Sequence, residues 1–364
     1  MRLLIDGRTY GNTGIGVYLQ SLCVHLDSQN DFDVILILQS KDRAHSKFKR
    51  IQVVTDDTKL YSIREQLQFL RVLKNFSFEL AHFPHFNVPI FFNRPFVFTF
   101  HDLTTLRYFD RNPNPLLRLK THAKLSLQRP VMQHAVREAL TIFVPTEWVK
   151  KDIEDVFPKS RGKIVVTKEG PGHTYPKGVL PSGVKKPYIL YVGNISIHKN
   201  LDFVVRNWSE VTEVAPEAQL VLAGRGRRDG LEEMARSKEL PVIFPGYVND
   251  DQLGALYAGA AAFIFPSLSE GFGLPPLEAM QNGTPVISSS ASCMPEVLGD
   301  AALYFNPTNP EEMAGQITRV LTDHELAEDL RKKGYEQVKK YSWQKMAEET
   351  VAVYKEVLEA RARS

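Results

Sequence analysis

Short β-branched and aromatic runs alternate with longer amphipathic stretches along the chain, the pattern of parallel strands covered by helices. In the first half the pattern predicts strands at 2–7, 33–39, 52–55, 79–83, 95–101, 141–145 and 163–168. Helical periodicity falls between them, near 16–27, 62–75, 115–137 and 146–156. The second half repeats the rhythm, with strands expected at 188–193, 219–224, 242–245, 262–266, 285–288 and 301–305.

The stretch 170–183 is rich in glycine and proline and has no periodicity, which marks it as a linker. The pattern therefore predicts an N-terminal domain over 1–175 and a C-terminal domain over 176–343, each α/β and Rossmann-like. A closing helix at about 344–364, with Trp343 at its start, is expected to pack back onto the first domain. Doubly wound domains bind ligands at the carboxyl ends of their strands, so a site is expected in a cleft between the two.

Composition adds limits. A chain of 364 residues with 43% hydrophobic and 24% charged residues suits two soluble domains. Two cysteines, Cys23 and Cys293, with no CxxC spacing fit a reducing compartment rather than a disulfide framework. The N-terminus runs directly into a strand without an apolar leader, and the most apolar internal stretch, 258–265, is far too short to span a bilayer. A cytoplasmic protein is expected, peripheral to the inner face of a membrane at most.

The net charge of +3 conceals an asymmetry: residues 1–180 carry 26 Lys and Arg against 17 Asp and Glu, and the remainder 19 against 25. The basic half suits an anionic partner. Nucleic acid is not the partner expected, because no helix-turn-helix, RNA-binding or zinc-finger signature accompanies the charge. A stretch mixing leucines with Arg118, Lys120, Lys124 and Arg129 reads as a surface helix, with docking on an anionic leaflet as the functional alternative.

The sharpest chemical signal is Ser269-Glu-Gly-Phe-Gly-Leu-Pro-Pro-Leu-Glu-Ala279, between an apolar strand and a helical run. Gly271 and Gly273 permit a tight turn and close approach of backbone to a ligand. Pro275 or Pro276 suits the first helical position. The helix then offers free N–H groups to a phosphate. Glu270 before the turn and Glu278 one turn inside the helix can accept hydrogen bonds from sugar and ribose hydroxyls. Two glutamates at this spacing are usually solvated; the glycines and prolines between them favour a site.

The stretch EGFGLPPLEAM, followed by Gly283-Thr-Pro-Val286 and Pro295-Glu-Val297, resembles the donor signature of glycosyltransferase family 4, retaining enzymes of the GT-B fold. The resemblance extends over the chain through Asp6-Gly-Arg8, Gly14-Ile-Gly-Val-Tyr18, His101-Asp102, Pro145-Thr-Glu-Trp148, Tyr191-Val-Gly193, Lys199-Asn-Leu201, Leu222-Ala-Gly224, Pro245-Gly-Tyr247 and Tyr341-Ser-Trp343, in the family's order. It implies that Glu278 binds the ribose and Glu270 the transferred sugar. It implies too that backbone around Phe272, Gly273 and Leu274 serves the sugar and diphosphate, and that Lys199 neutralises the diphosphate as the glycosidic bond breaks. The family often pairs that lysine with an arginine where Asn194 stands here, leaving one cation fewer unless Arg225 substitutes. Tyr247 would lie near the base, and His101 beside the transferred sugar, orienting the acceptor. Gly14 and Gly16 would bring the first helix close to the donor phosphates.

Neither Gly14-Ile-Gly16 nor Gly224-Arg-Gly226 extends to the GxGxxG of a nicotinamide enzyme. His82 and His85 stand three apart beside Pro84 and read as an acceptor-side loop rather than a metal face. The resemblance implies no metal and no cofactor beyond the nucleotide sugar. The likeness of the IDGR, GIGVY and FHDL segments to bacterial mannosyltransferases of polysaccharide or lipopolysaccharide synthesis points to GDP-mannose, and to a glycan or lipid-linked acceptor. Two alternatives share the architecture: a nucleotide-sugar 2-epimerase, and a non-catalytic sugar-nucleotide-binding protein.

Overall fold

The computed structural model describes residues 1–12, 14–108, 115–172, 174–176, 178–226 and 228–363. The chain divides into two compact units: Met1–Gly170 with Ser342–Ser364, and Pro171–Tyr341.

In the first unit the strands are β1 (Arg2–Asp6), β2 (Asp33–Leu38), β3 (Gln52–Thr55), β4 (Leu80–Phe83), β5 (Phe96–Thr99), β6 (Thr141–Val144) and β7 (Ile164–Val166). They form one parallel sheet in the order β3-β2-β1-β4-β5-β6-β7. The helices are α1 (Ile15–Ser28), α2 (Glu65–Lys74), α3 (Thr104–Tyr108), α4 (Pro115–Glu138) and α5 (Glu147–Val156). Successive strand residues point to opposite faces, and both faces here are apolar. Leu4, Phe83, Phe98 and Ile142 pack on one face with Phe69 of α2, Met132 of α4 and Ile153 of α5. Leu3, Ile5, Leu36 and Phe143 pack on the other with Leu19 and Leu22 of α1. The closing helix Trp343–Arg363 shares that second face through Met346, Val351 and Tyr354.

His82 does not stand in a loop. It lies on β4, fully buried, with Nδ1 bonded to the Tyr354 hydroxyl and Nε2 2.9 Å from Thr99 Oγ1. Burial pushes its pKa down to about 3, so it is a neutral core histidine. The strand continues through Phe83 because apolar burial on both sides outweighs the turn tendency of Pro84. Helix α4 covers the stretch read as a basic surface helix; Arg129 is exposed, and the side chains of Arg118, Lys120 and Lys124 lie outside the described residues. Among the described residues no helix is long and apolar enough to cross a membrane.

The second unit carries β8 (Tyr188–Val192), β9 (Gln219–Ala223), β10 (Val242–Gly246), β11 (Ala262–Phe265), β12 (Val286–Ser289) and β13 (Ala302–Phe305). Its parallel order is β10-β9-β8-β11-β12-β13, in which direction of winding reverses between β8 and β11. Its helices are α6 (Leu201–Arg206), α7 (Trp208–Val214), α8 (Asp229–Ser237), α9 (Asp250–Gly259), α10 (Leu274–Gln281), α11 (Met294–Leu298), α12 (Pro310–Thr322) and α13 (His324–Val338). The closing helix of the first unit is then α14 (Trp343–Arg363). Ligands of doubly wound sheets bind outside the carboxyl ends of the strands where the winding reverses. In this unit that place lies between the loops after β8 and β11.

Candidate active site

Those two loops carry Lys199 and Glu270. The buried strand β8 ends at Val192, and the chain turns through Gly193 and Asn194 into a 3-10 turn, Ile197–Lys199. The loop after β11 is tied to that turn, because the Leu268 amide donates to the His198 carbonyl at 2.8 Å. Lys199 Nζ then donates to Glu270 Oε1 at 2.6 Å and lies 5.1 Å above the Phe265 ring. Both partners are largely withdrawn from water, with side chains 15% and 13% exposed. The main chain of Glu270 is held from both sides: its amide donates to Ser292 Oγ at 3.1 Å, and its carbonyl accepts from the Cys293 thiol at 3.3 Å.

Glycine at 273 is dictated by conformation. Its φ of 94° is one that residues with a Cβ rarely adopt, and it lets α10 start abruptly at Leu274, with Pro275 second. Phe272 is buried and packs edge-on against Tyr341, 5.3 Å between centroids. No side chain caps α10, and Pro275 and Pro276 have no N–H, so its start presents the Leu274 amide and the positive end of the helix. The ammonium of Lys199, the Glu270 carboxylate and an uncapped helix start are thus collected at one sheet edge.

Glu278, inside α10, has a separate environment. Its Oε2 accepts from the Tyr257 hydroxyl at 3.3 Å, and the Tyr175 hydroxyl also bonds to it. Tyr175 and Tyr257 stack at 5.8 Å. Gly172 presses so close that a Cβ there would stand 2.1 Å from Glu278 Oε1. Burial raises the Glu278 pKa to about 7, against the lowering effect of the two phenols. A ribose diol donating to this carboxylate would favour its charged form. Donor affinity is therefore expected to fall about tenfold per unit as pH drops below 7, and to level off above it. Glu278→Gln should abolish that dependence, weaken donor binding about tenfold, and raise the melting temperature of the free protein at pH 8, where the charged carboxylate costs most. Calorimetric titration of the sugar nucleotide at pH 6 and 8 checks the binding, and scanning calorimetry at pH 8 the melting temperature.

The other positions expected to serve the donor are more open. Asn194 is exposed, and its carbonyl accepts from the Tyr191 hydroxyl at 3.0 Å. Arg225 is exposed too, its guanidinium 5.2 Å from the ring of Tyr247, which is 73% exposed. The Arg225 carbonyl accepts from the Ile195 amide at 2.8 Å, so this arginine is fastened to the same loop that carries Asn194.

In the first unit the winding reverses between β1 and β4. Gly14 immediately precedes α1, and Gly16 lies in its first turn against the Tyr10 carbonyl. His101 follows β5 and is held on every side. Nε2 lies 3.1 Å from the Pro84 carbonyl, which can only accept, so Nε2 donates. Nδ1 lies 3.1 Å from Glu169 Oε1, and the edge of Tyr18 closes the ring in at 5.1 Å. Asp102 Oδ1 accepts from the Thr104 amide at 2.8 Å, at the start of α3. A sugar hydroxyl reaching His101 must share or displace one of these partners.

Sequence reading missed Glu169, Tyr175, Tyr257 and Ser292. Glu169 and Tyr175 fall in or beside the stretch read as a linker, where a charged or aromatic residue among glycines was the available signal.

Profiles of two families match the chain in succession: "Glycosyltransferase Family 4" over residues 12–170 and "Glycosyl transferases group 1" over 177–337. The chain is a glycosyltransferase, a family 4 domain followed by a group 1 domain. This glycosyltransferase is 27% identical to the O-antigen chain mannosyltransferase B of Escherichia coli, over 95% of its own chain and 97% of the relative. It is 26% identical to an O-antigen chain mannosyltransferase of Salmonella typhimurium, over 87% and 90%. Its fold, two Rossmann-like domains of GT-B type, matches a sucrose-phosphate synthase from Thermosynechococcus elongatus with a TM-score of 0.77 at 20% identity, covering 99% of each chain. Glycosyl transfer is thus its activity, and the epimerase and non-catalytic alternatives are not favoured.

Proposed function

We propose that the enzyme moves a mannosyl group from GDP-mannose, with retention of configuration, to a hydroxyl of a glycan or lipid-linked acceptor. The observation that carries this reading is the Lys199–Glu270 pair at the β8/β11 reversal, beside the uncapped start of α10. Cleavage of a sugar–diphosphate bond builds negative charge on the leaving phosphate. A lysine ammonium and a helix N-terminus supply positive charge there without a metal. Glu270 would then exchange part of its bond to Lys199 for hydroxyls of the sugar, and Glu278 would hold the ribose. His101 would orient the transferred sugar and the acceptor. In the front-side route favoured here, the departing phosphate takes the acceptor's proton.

Mannose is supported by the names of the two relatives, both O-antigen mannosyltransferases. Arg225 and Tyr247 are suited to the nucleotide by their exposed cation–aromatic edge. A thermal-shift series with GDP-, UDP- and dTDP-sugars tests the donor, since bound ligand stabilises the fold by mass action. At a hundred times Kd the gain is about 2.7 kcal/mol, several degrees in Tm. GDP-mannose is expected to give the largest shift; a larger one with UDP- or dTDP-sugars would replace it as donor.

A further inference from the structure

Among non-glycine residues of the first unit, Tyr61 has a φ of +59°. A bulky aromatic residue rarely adopts this left-handed conformation, which persists only where its surroundings impose it. The surroundings do impose it. The Tyr61 amide donates to Glu65 Oε2 at 2.6 Å, and Asn87 Nδ2 donates to the same oxygen at 2.6 Å. Glu65 Oε1 accepts from Arg8 Nη2 at 2.6 Å, and Arg8 is bidentate to Asp6 at 2.8 Å through Nε and Nη2. Arg8 is 1% and Glu65 0% exposed, and the guanidinium lies 3.3 Å from the centre of the Phe69 ring. A buried arginine set between carboxylates therefore clamps the backbone of one strained tyrosine.

The clamp has a position and a product. Arg8, Tyr61, His85 and Asp102 lie in the loops that follow β1, β3, β4 and β5, so all belong to the carboxyl edge of the sheet around its β1/β4 reversal. That edge is where such sheets take ligands. The clamp sets the Tyr61 hydroxyl 3.1 Å from His85 Nδ1, with the two rings edge to face at 5.3 Å. Both side chains remain partly exposed. A phenol hydroxyl and an imidazole on an edge-to-face ring pair suit a ring with hydroxyls at its rim and C–H groups on its face.

We propose that Tyr61 and His85 form the subsite for the acceptor sugar, a pyranose bound through hydroxyls to the Tyr61–His85 edge. This inference rests on the reading of the enzyme as a hexosyltransferase, and its test separates the two. Full-length wild type, Tyr61→Phe and His85→Ala are compared, with octyl hexopyranosides (both anomers of mannose, glucose and galactose) as acceptor probes. Tyr61→Phe keeps the ring and its packing and removes only the hydroxyl. Saturation-transfer NMR reads probe binding without donor, and steady-state kinetics with GDP-mannose reads both KM values.

The expected result is an acceptor KM raised about tenfold in each variant, with donor KM within twofold and the saturation-transfer signal strongly reduced. An acceptor KM within twofold of wild type, or both KM values rising together, overturns the subsite. If wild type transfers sugar to no probe, the hexosyltransferase reading fails for these acceptors, and the NMR decides alone. A wild-type signal lost in the variants upholds the subsite; an equal or absent signal overturns it.

Discussion

Lys199→Ala is expected to lower kcat roughly 10²–10³-fold while changing donor KM much less, the signature of losing a charge that matters most as the leaving group departs. The competing explanation is that Lys199 only neutralises Glu270, its partner at 2.6 Å. A double-mutant cycle separates the two. If the lysine were merely a counter-charge, Lys199→Ala in a Glu270→Gln background would cost almost nothing, because no charge would be left unpaired. If the ammonium serves the phosphate, Lys199→Ala still slows the Glu270→Gln enzyme by most of its roughly 10²–10³-fold effect. Single-turnover rates with GDP-mannose give the kcat term without product release. A Lys199→Ala enzyme within threefold of wild type would remove the lysine from the mechanism.

The second large effect concerns stability. Arg8→Met removes the cation from Asp6 and Glu65 and leaves both carboxylates buried and uncompensated. Breaking a buried pair from one side costs about 3–5 kcal/mol, which in a unit of this size lowers Tm by roughly 10 °C. The loss has a pH signature. Burial already raises the Glu65 pKa, while Arg8 opposes that rise. Without the arginine the carboxyl holds its proton to higher pH, and the charged form that costs stability is reached only above that point. The Tm deficit of Arg8→Met should therefore be greatest in alkaline buffer and shrink as pH falls. Scanning calorimetry between pH 5 and 9 checks both the size and the slope. A drop under 2 °C would mean that the clamp on Tyr61 is held by other contacts.

Most strands were legible because each is a short apolar run buried on both faces, and the partly buried edge strands β3, β7 and β10 are still short apolar runs. β3 falls at the residues expected, and most of the others were merely trimmed where a strand frays into its loop. Part of the site was legible for a related reason. Gly271, Gly273 and the prolines encode a local geometry, a turn opening a helix, that needs no distant partner. Pairings over long separations were not legible. Lys199 meets Glu270 across 71 positions and His101 meets Glu169 across 68. No local pattern records such contacts, which arise only when parallel strands bring their loops to one edge. His82 shows the converse failure. A histidine two residues before a proline has the composition of a loop, and the hydroxyls of Thr99 and of Tyr354, supplied from α14, satisfy its ring in the core.

That last contact has a consequence for how the polypeptide reaches its native state. The chain leaves the first unit at Gly170 and re-enters it at Ser342, so the second unit is inserted within the first. During synthesis the inserted unit emerges whole and can fold as a block, whereas the first must wait for its final helix. Until α14 arrives, the face formed by Leu3, Ile5, Leu22, Leu36 and Phe143 lacks part of its cover. Nascent chains stalled just short of residue 342 should accordingly resist protease over 171–341 and be cut readily within 1–170. The half made first on the ribosome is the half finished last.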